Sequence, residues 1–239
     1  MSALAVIDQF WIVAMERLQI KKMTNLTHSY SAIKMYDNCP KRYNMQRVTK
    51  EVTDVQGEAS LYGERVHKQL EDRLNGIQSL PPESVKYEAL VEAFSAMDGE
   101  LLVEQELTLN VNLQPTGWWA DDAWLRSKLD VLILNGEDAL VADWKTGKRR
   151  PDFFQLELFA LQTFKHHPQI QRVKSVFVWL KDMQMDHEVY TRDNLPALWD
   201  KLLSKITLIE KSLEHNNWPA KPSGLCPWCP AKNVCEFAN

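Results

Sequence analysis

Two extended stretches flanking Asn135-Gly136-Glu137-Asp138 constrain this chain more than any other feature. From Trp124 to Leu134 polar and apolar positions alternate, which predicts Lys128, Asp130 and Leu132 on one side of a strand and Leu129, Val131 and Ile133 on the other. Beyond the turn, Val141, Asp143 and Lys145 share a side. Asn-Gly between apolar runs is a strong hairpin signal, because both residues tolerate positive φ. If all four residues form the loop, Leu134 pairs with Ala139 and Asp130 stands opposite Asp143. If only Asn135-Gly136 turns, the aspartates become diagonal neighbours. Either register keeps both carboxylates on one face, roughly 5 to 8 Å apart at Cβ, where their oxygens can converge on one cation. Carboxylates that close repel, so the arrangement calls for a metal ion or for the ammonium of Lys145.

The rest of the chain sets the frame for this pair. At 239 residues and 45% hydrophobic content, it is long and apolar enough for one domain with a sizeable core. Residues 23–239 are assigned to that domain. Residues 1–22 are taken as an extension whose positions 4–18 have amphipathic helical spacing, with Met23 as an alternative start. The net charge of −4 argues against a protein that coats nucleic acid by bulk electrostatics. Local basic clusters remain, at Lys41, Arg42, Arg47 and Lys50 and at Lys145, Lys148, Arg149 and Arg150. No apolar run reaches the length that crosses a bilayer and no secretion signal is present, so a cytoplasmic location is expected, the host cytoplasm if the chain is phage-encoded. Helices are predicted over 30–48, 58–75, 83–98, 152–166 and 194–216. Strands are predicted over 101–111, 117–120, 124–134, 139–145, 173–181 and 186–192. This order predicts an α/β fold, a mixed sheet flanked by helices.

Further polar residues gather around the hairpin. In Gly63-Glu64-Arg65-Val66-His67 a small residue precedes a histidine by one helical turn, with Leu61, Val66, Leu70 and Leu74 as the buried stripe. Gln155 opens the helix that follows Asp143-Trp144-Lys145, in Gln155-Leu156-Glu157-Leu158-Phe159. Glu106, on the strand before the hairpin, is a second-tier acid. Each alone fits an ordinary surface or core residue; their order is the specific signal. Gly-x-x-x-His on a helix, Asp on a strand, Asp-x-Lys on the next strand and Gln-x-x-x-aromatic on a helix resemble the RecB-like branch of the PD-(D/E)XK nuclease superfamily, which includes AddB-type and CRISPR-associated four-cysteine nucleases. The resemblance runs from about Ser29 to Cys235.

The resemblance implies a restriction-endonuclease-like fold in which His67, Asp130, Asp143 and the Trp144 carbonyl hold Mg²⁺ or Mn²⁺. It implies that Lys145 aids catalysis and that Gln155 supports the site. The cation would polarise the scissile phosphate and acidify water, and a histidine ligand favours Mn²⁺. The number of ions, one or two, stays open. Phe159 stands where the family has tyrosine, so no hydroxyl role carries over there.

All four cysteines lie at the ends of the domain, Cys39 in Asn38-Cys39-Pro40 and Cys226, Cys229 and Cys235 within 218–239. In a cytoplasmic chain such usage points to metal rather than disulfides. Their spacing resembles the iron-sulfur clasp of the same nucleases, implying a [4Fe-4S] cluster joining the N- and C-terminal segments. Zn²⁺ at four thiolates is the rival. No phosphate-cradling glycine loop precedes Thr146-Gly147-Lys148, so no ATP motor is recognisable and DNA ends or unwound strands must come from elsewhere, from a helicase or recombination protein supplied separately. Trp118, Trp119 and Trp124 are candidates for stacking on bases, with core packing the blander alternative. The functional expectation is a metal-dependent DNA nuclease, an exonuclease on ends or single strands serving recombination, repair or phage replication. The alternatives are a catalytically silent nucleic-acid-binding or partner-binding module on the same scaffold and a zinc-stabilised interaction protein. Polarity and oligomeric state are not encoded in any feature of the sequence.

Overall fold

The computed structural model describes residues 26–54 and 56–238; the N-terminal extension with its predicted helix, and Met23, lie outside the described residues. Helices α1 (Tyr30–Asn38) and α2 (Pro40–Tyr43) are followed by a π-helical turn (Asn44–Val48), then by α3 (Glu58–Leu74) and α4 (Glu88–Ser95). Strands β1 (Glu100–Leu109), β2 (Leu125–Asn135) and β3 (Asp138–Lys145) come next. Helix α5 (Phe153–His166), strands β4 (Arg172–Trp179) and β5 (Gln184–Thr191) and helix α6 (Leu195–His215) complete the order. The five strands form one sheet in sequence order, antiparallel except for the parallel β3–β4 pair that α5 connects.

The predicted helix over 30–48 breaks at Cys39, which adopts extended geometry before Pro40. Proline disfavours helical backbone in the residue ahead of it while suiting the first helical position itself. The side chain of Ser29 starts α1 by accepting from the Ala32 N–H at 3.2 Å, and Asp152 starts α5 by accepting from Phe154 N–H at 3.3 Å. The expected strand over 117–120 is instead a turn, closed by Ala120 N–H to the Gly117 carbonyl. Polar Thr116 and Asn110 hold it, both donating to the carboxylate of Asp122.

Helices cover both faces of the sheet. On one, Leu129, Leu132, Val141, Val173 and Phe177 pack with Ile33 of α1, Leu161 and Phe164 of α5 and Trp199 and Ile206 of α6. On the other, Val131, Ile133, Ala142, Trp144 and Val178 meet Val66 and Leu70 of α3 and Val91 and Phe94 of α4. Two apolar layers explain why β2, β3 and β4 are apolar on both sides, as expected of interior strands. Truncating a buried leucine or isoleucine of these layers to alanine costs about 2–5 kcal/mol. Of the predicted α3 stripe, Val66 and Leu70 are buried, whereas Leu61 is 49% exposed because it lies beyond the reach of α4 near the helix start. No helix among the described residues is long and apolar enough to cross a membrane.

The β2–β3 register is the one that pairs Leu134 with Ala139, but the ladder continues to Asn135↔Asp138. The turn is therefore Gly136-Glu137, and of these only Gly136, at φ +60°, takes left-handed backbone. Gly99, which leads into β1, is more constrained. Its φ is +124°, and a Cβ there would lie 2.5 Å from the Leu134 carbonyl oxygen across the sheet. Gly99→Ala must displace backbone, whereas Gly136→Ala meets nothing within 4 Å and carries only the cost of left-handed geometry, about 1–2 kcal/mol. Thermal denaturation is expected to show the larger loss for Gly99→Ala, at least ~2 kcal/mol or about 4 °C in Tm. Equal effects at the two positions would contradict this packing.

Candidate active site

The β1–β2 ladder is interrupted at one place. Pairs run from Glu100↔Leu134 to Val103↔Val131 and resume at Gln105↔Leu129, leaving Glu104 and Asp130 between them. Glu104 has φ +55°, a left-handed conformation that costs a non-glycine residue about 1–2 kcal/mol. The side-chain alternation resets here. Leu129 packs in the same layer as Leu132, while Val131 and Ile133 face the opposite one. The expected grouping of Leu129 with Val131 and Ile133 is corrected accordingly, because strict alternation assumes an unbroken strand.

Asp130 is buried and accepts two hydrogen bonds. Its Oδ2 takes the Trp144 backbone N–H at 2.7 Å, and its Oδ1 lies 3.1 Å from His67 Nδ1. The β2–β3 ladder ends at Val131↔Ala142, so this carboxylate satisfies an amide of β3 beyond that end. Trp144 itself is buried, its indole edge against Phe94. Gly63 lets α3 come this close to the sheet: a Cβ there would stand 3.1 Å from Thr146 Oγ1 just past β3. One turn later His67 faces Asp130.

One atom each from His67, Glu104 and Asp130 lie within 4.8 Å of one another, the spacing of a cation site. Asp143 falls outside this trio yet beside it. Its Oδ1 accepts from Gln155 Nε2 at 2.9 Å, and its Oδ2 forms an ion pair with Lys145 Nζ at 2.6 Å. Gln155 also accepts from Lys145 Nζ at 2.9 Å, so one amide bridges the carboxylate and the ammonium.

Electrostatics reflect this crowding of acids. Burial raises the Asp143 pKa to about 6; Lys145 opposes the rise and Asp130 adds to it. Burial likewise raises Glu104, with Lys128 opposing and Asp130 reinforcing. For His67, burial disfavours the charged ring, but the hydrogen bond and charge of Asp130, with Asp143 and Glu104 behind it, raise its pKa overall. Glu104, Asp130 and His67 line a cleft of about 560 Å³. Carboxylates and one imidazole suit Mg²⁺ or Mn²⁺.

The structure thus brings His67, Asp130, Asp143, Trp144, Lys145 and Gln155 together, as the sequence order predicts. Glu104 was missed. The second-tier acid Glu106 is exposed, and Glu104, two residues earlier, occupies the cleft because the left-handed residue redirects it. The only sequence signal was the pair of acids in Glu104-Gln105-Glu106. The basic clusters are half neutralised: Lys41 pairs with Glu236, Arg42 with Asp54, Lys145 with Asp143 and Arg149 with Asp186. Trp124 is core, 2% exposed, while Trp119 is 83% exposed. Phe159 is buried in the core beside Gln155.

The four cysteines are free thiols that line one cavity of about 50 Å³, between α1–α2 and the C-terminal segment. Lys221 Nζ donating to the Asp37 carbonyl at 2.9 Å, and Trp218 stacked 6.0 Å from Tyr43, hold the two ends together there.

Comparison with known proteins agrees with this architecture. No curated protein matches the chain. A crystal structure of a provisionally assigned exonuclease from Eubacterium rectale superposes with TM-score 0.51 at 14% identity, covering 92% of this chain and 93% of its own. The crystal structure of SSO0001 covers 98% of each chain at 16% identity, with TM-score 0.43. The family model of the PD-(D/E)XK nuclease superfamily matches residues 27–236, nearly the whole described chain, and the chain belongs to that superfamily.

Proposed function

We propose that the protein is a divalent-metal-dependent DNA nuclease of the RecB-like branch, acting as an exonuclease on ends or single strands. The observation that carries this reading is the convergence of His67, Glu104 and Asp130 within 4.8 Å, beside an Asp143–Lys145 pair bridged by Gln155. His67, Glu104, Asp130 and Asp143, with the Trp144 carbonyl, are the residues that would hold Mg²⁺ or Mn²⁺. When bound, such an ion supplies Lewis-acid polarisation of the phosphodiester and acidification of water. Lys145 places an ammonium where negative charge builds on the phosphate. Gln155 positions that ammonium and fixes the orientation of the Asp143 carboxylate.

With linear DNA and Mn²⁺ or Mg²⁺, the wild type is expected to release nucleotides, while Asp130→Ala and Lys145→Ala lose at least about 100-fold of the rate. Glu104→Gln is expected to lose activity and Glu106→Gln to keep it. Activity persisting in both Asp130→Ala and Lys145→Ala contradicts the reading, and inactivity of the wild type favours the silent-module alternative.

The pH dependence has a definite sign. A carboxyl whose pKa is raised to about 6 holds its proton below that pH and competes with the cation for the same oxygens. Mn²⁺ affinity measured by calorimetry is therefore expected to rise as pH increases through 6, and to level only once His67, whose pKa is also raised, has lost its proton. A flat profile from pH 5 to 8 would count against Asp143 as a ligand.

We further propose that the four cysteines hold a [4Fe-4S] cluster that clasps the chain ends. Supporting this, all four thiols line one cavity. Anaerobically purified protein is expected to be brown, absorbing near about 400 nm, and Cys229→Ala to lose that absorbance together with soluble yield. A colourless protein containing stoichiometric zinc would overturn the cluster.

A further inference from the structure

Beside the metal cleft runs a second groove, of about 370 Å³, whose walls include Tyr30, Arg47, Trp118, Arg126, Lys128 and Gln155. It is continuous with the proposed site at two points. Lys128 lines both cavities, and Gln155 is the amide that holds Lys145 and Asp143. The connection between β1 and β2 forms its far wall and presents an unusual group. The Arg126 guanidinium lies 5.2 Å from the Trp118 ring centroid and 5.4 Å from that of Trp119, and the Trp119 indole is 83% exposed.

Arg42, Arg73, Arg149 and Arg172 are each tied to a carboxylate, and Arg192 donates to backbone carbonyls. Among the described residues neither Arg47 nor Arg126 makes an ion pair: Arg47 donates to the Thr27 carbonyl at 2.7 Å and Arg126 is engaged by the two indoles. In a chain of net charge −4, two un-neutralised guanidiniums in one groove leave a local positive potential leading to Lys145. The connection that carries the tryptophans is preorganised. Thr116 N–H donates to the Thr108 carbonyl at 3.0 Å and Trp124 N–H to the Leu109 carbonyl at 2.9 Å, and Asp122 accepts from Thr116 and Asn110. An exposed indole on a fixed loop can receive a ligand ring without the cost of ordering it.

We propose that this groove is the track for an unpaired polynucleotide strand, with Trp119 and the Trp118–Arg126 pair as the platform for bases and Arg47 and Arg126 as phosphate contacts. Only an unpaired base exposes the π-face that an indole can stack on; in a duplex that face is already covered. The track rests on the nuclease reading for its purpose and not for its chemistry. It also deepens that reading, since it makes the substrate a single strand or the frayed end of a duplex.

The test is fluorescence anisotropy of the full chain, in EDTA to prevent cleavage, with a labelled oligothymidylate of about 12 nucleotides and with a blunt duplex of equal length. The wild type is expected to bind the oligothymidylate more tightly than the duplex. Trp119→Ala and Arg126→Gln are each expected to weaken that binding about tenfold with unchanged Tm. Thermal melting of both variants keeps a folding defect from passing as lost contact, and two chemically different substitutions keep the test independent of either. Absence of wild-type binding, unchanged binding by the folded variants, or preference for the duplex overturns the track. Hydrolysis of thymidine 5′-(p-nitrophenyl phosphate) with Mn²⁺, assayed on the wild type alongside, separates the two readings. Tight strand binding without hydrolysis sinks the nuclease and keeps the track, and hydrolysis with unchanged variant binding does the reverse.

Discussion

The site depends on one constraint, the crowding of acids at the break in the β1–β2 ladder. Asp130 and Glu104 meet where pairing lapses, and Asp143 lies beside them on the next strand. Each is partly or wholly withdrawn from water, and the raised pKa values of Glu104 and Asp143 record the cost of ionising them there. Lys145, Lys128 and His67 offset some of that charge. A left-handed Glu104 and a buried Asp143 whose charged form is disfavoured are the kind of local disadvantage a fold keeps at a functional site. The divalent cation proposed for the site would offset the crowding of negative charge.

The surrounding architecture makes this crowding durable. The acids project from β1, β2 and β3, and β2 and β3 are clamped between two apolar layers, so they cannot drift apart to relax their repulsion. The near face of α3 is brought in by Gly63, and the Asp130 carboxylate replaces a backbone acceptor for Trp144 N–H. Asp130 thus also serves as structural glue, and the site's geometry is set by elements held by the two apolar layers. Gln155, at the start of α5, lines the groove that reaches Trp118 and Arg126 and bonds both Asp143 and Lys145.

Much of this was legible in the sequence because it follows from period and spacing. The α/β class, a hairpin with both aspartates near one another, and the association of His67, Asp130, Asp143, Lys145 and Gln155 rest on alternation, a turn and two helix starts, while the choice between the two possible registers did not follow from them. What was illegible depends on conformations that residue type does not encode. Nothing in Val103-Glu104-Gln105 announces a left-handed glutamate, so the alternation placed Glu106 ahead of Glu104 as the nearby acid and grouped Leu129 with the wrong layer. Trp118 and Trp119 looked like a short strand by composition, but Gly117 and the Asp122 hydrogen bonds bend the segment into a turn. The basic runs looked like a nucleic-acid face, yet their partners Glu236, Asp54 and Asp186 are distant in sequence and invisible to a local reading.

The account's central claim is that these acids and His67 jointly hold one or more divalent ions. Anomalous diffraction from crystals soaked in Mn²⁺ tests it most directly. A manganese peak is expected roughly 2.0–2.3 Å from carboxylate oxygens of Asp130 and Glu104 and from an imidazole nitrogen of His67. A fully occupied peak elsewhere, with these side chains still bonded only to one another, would contradict it.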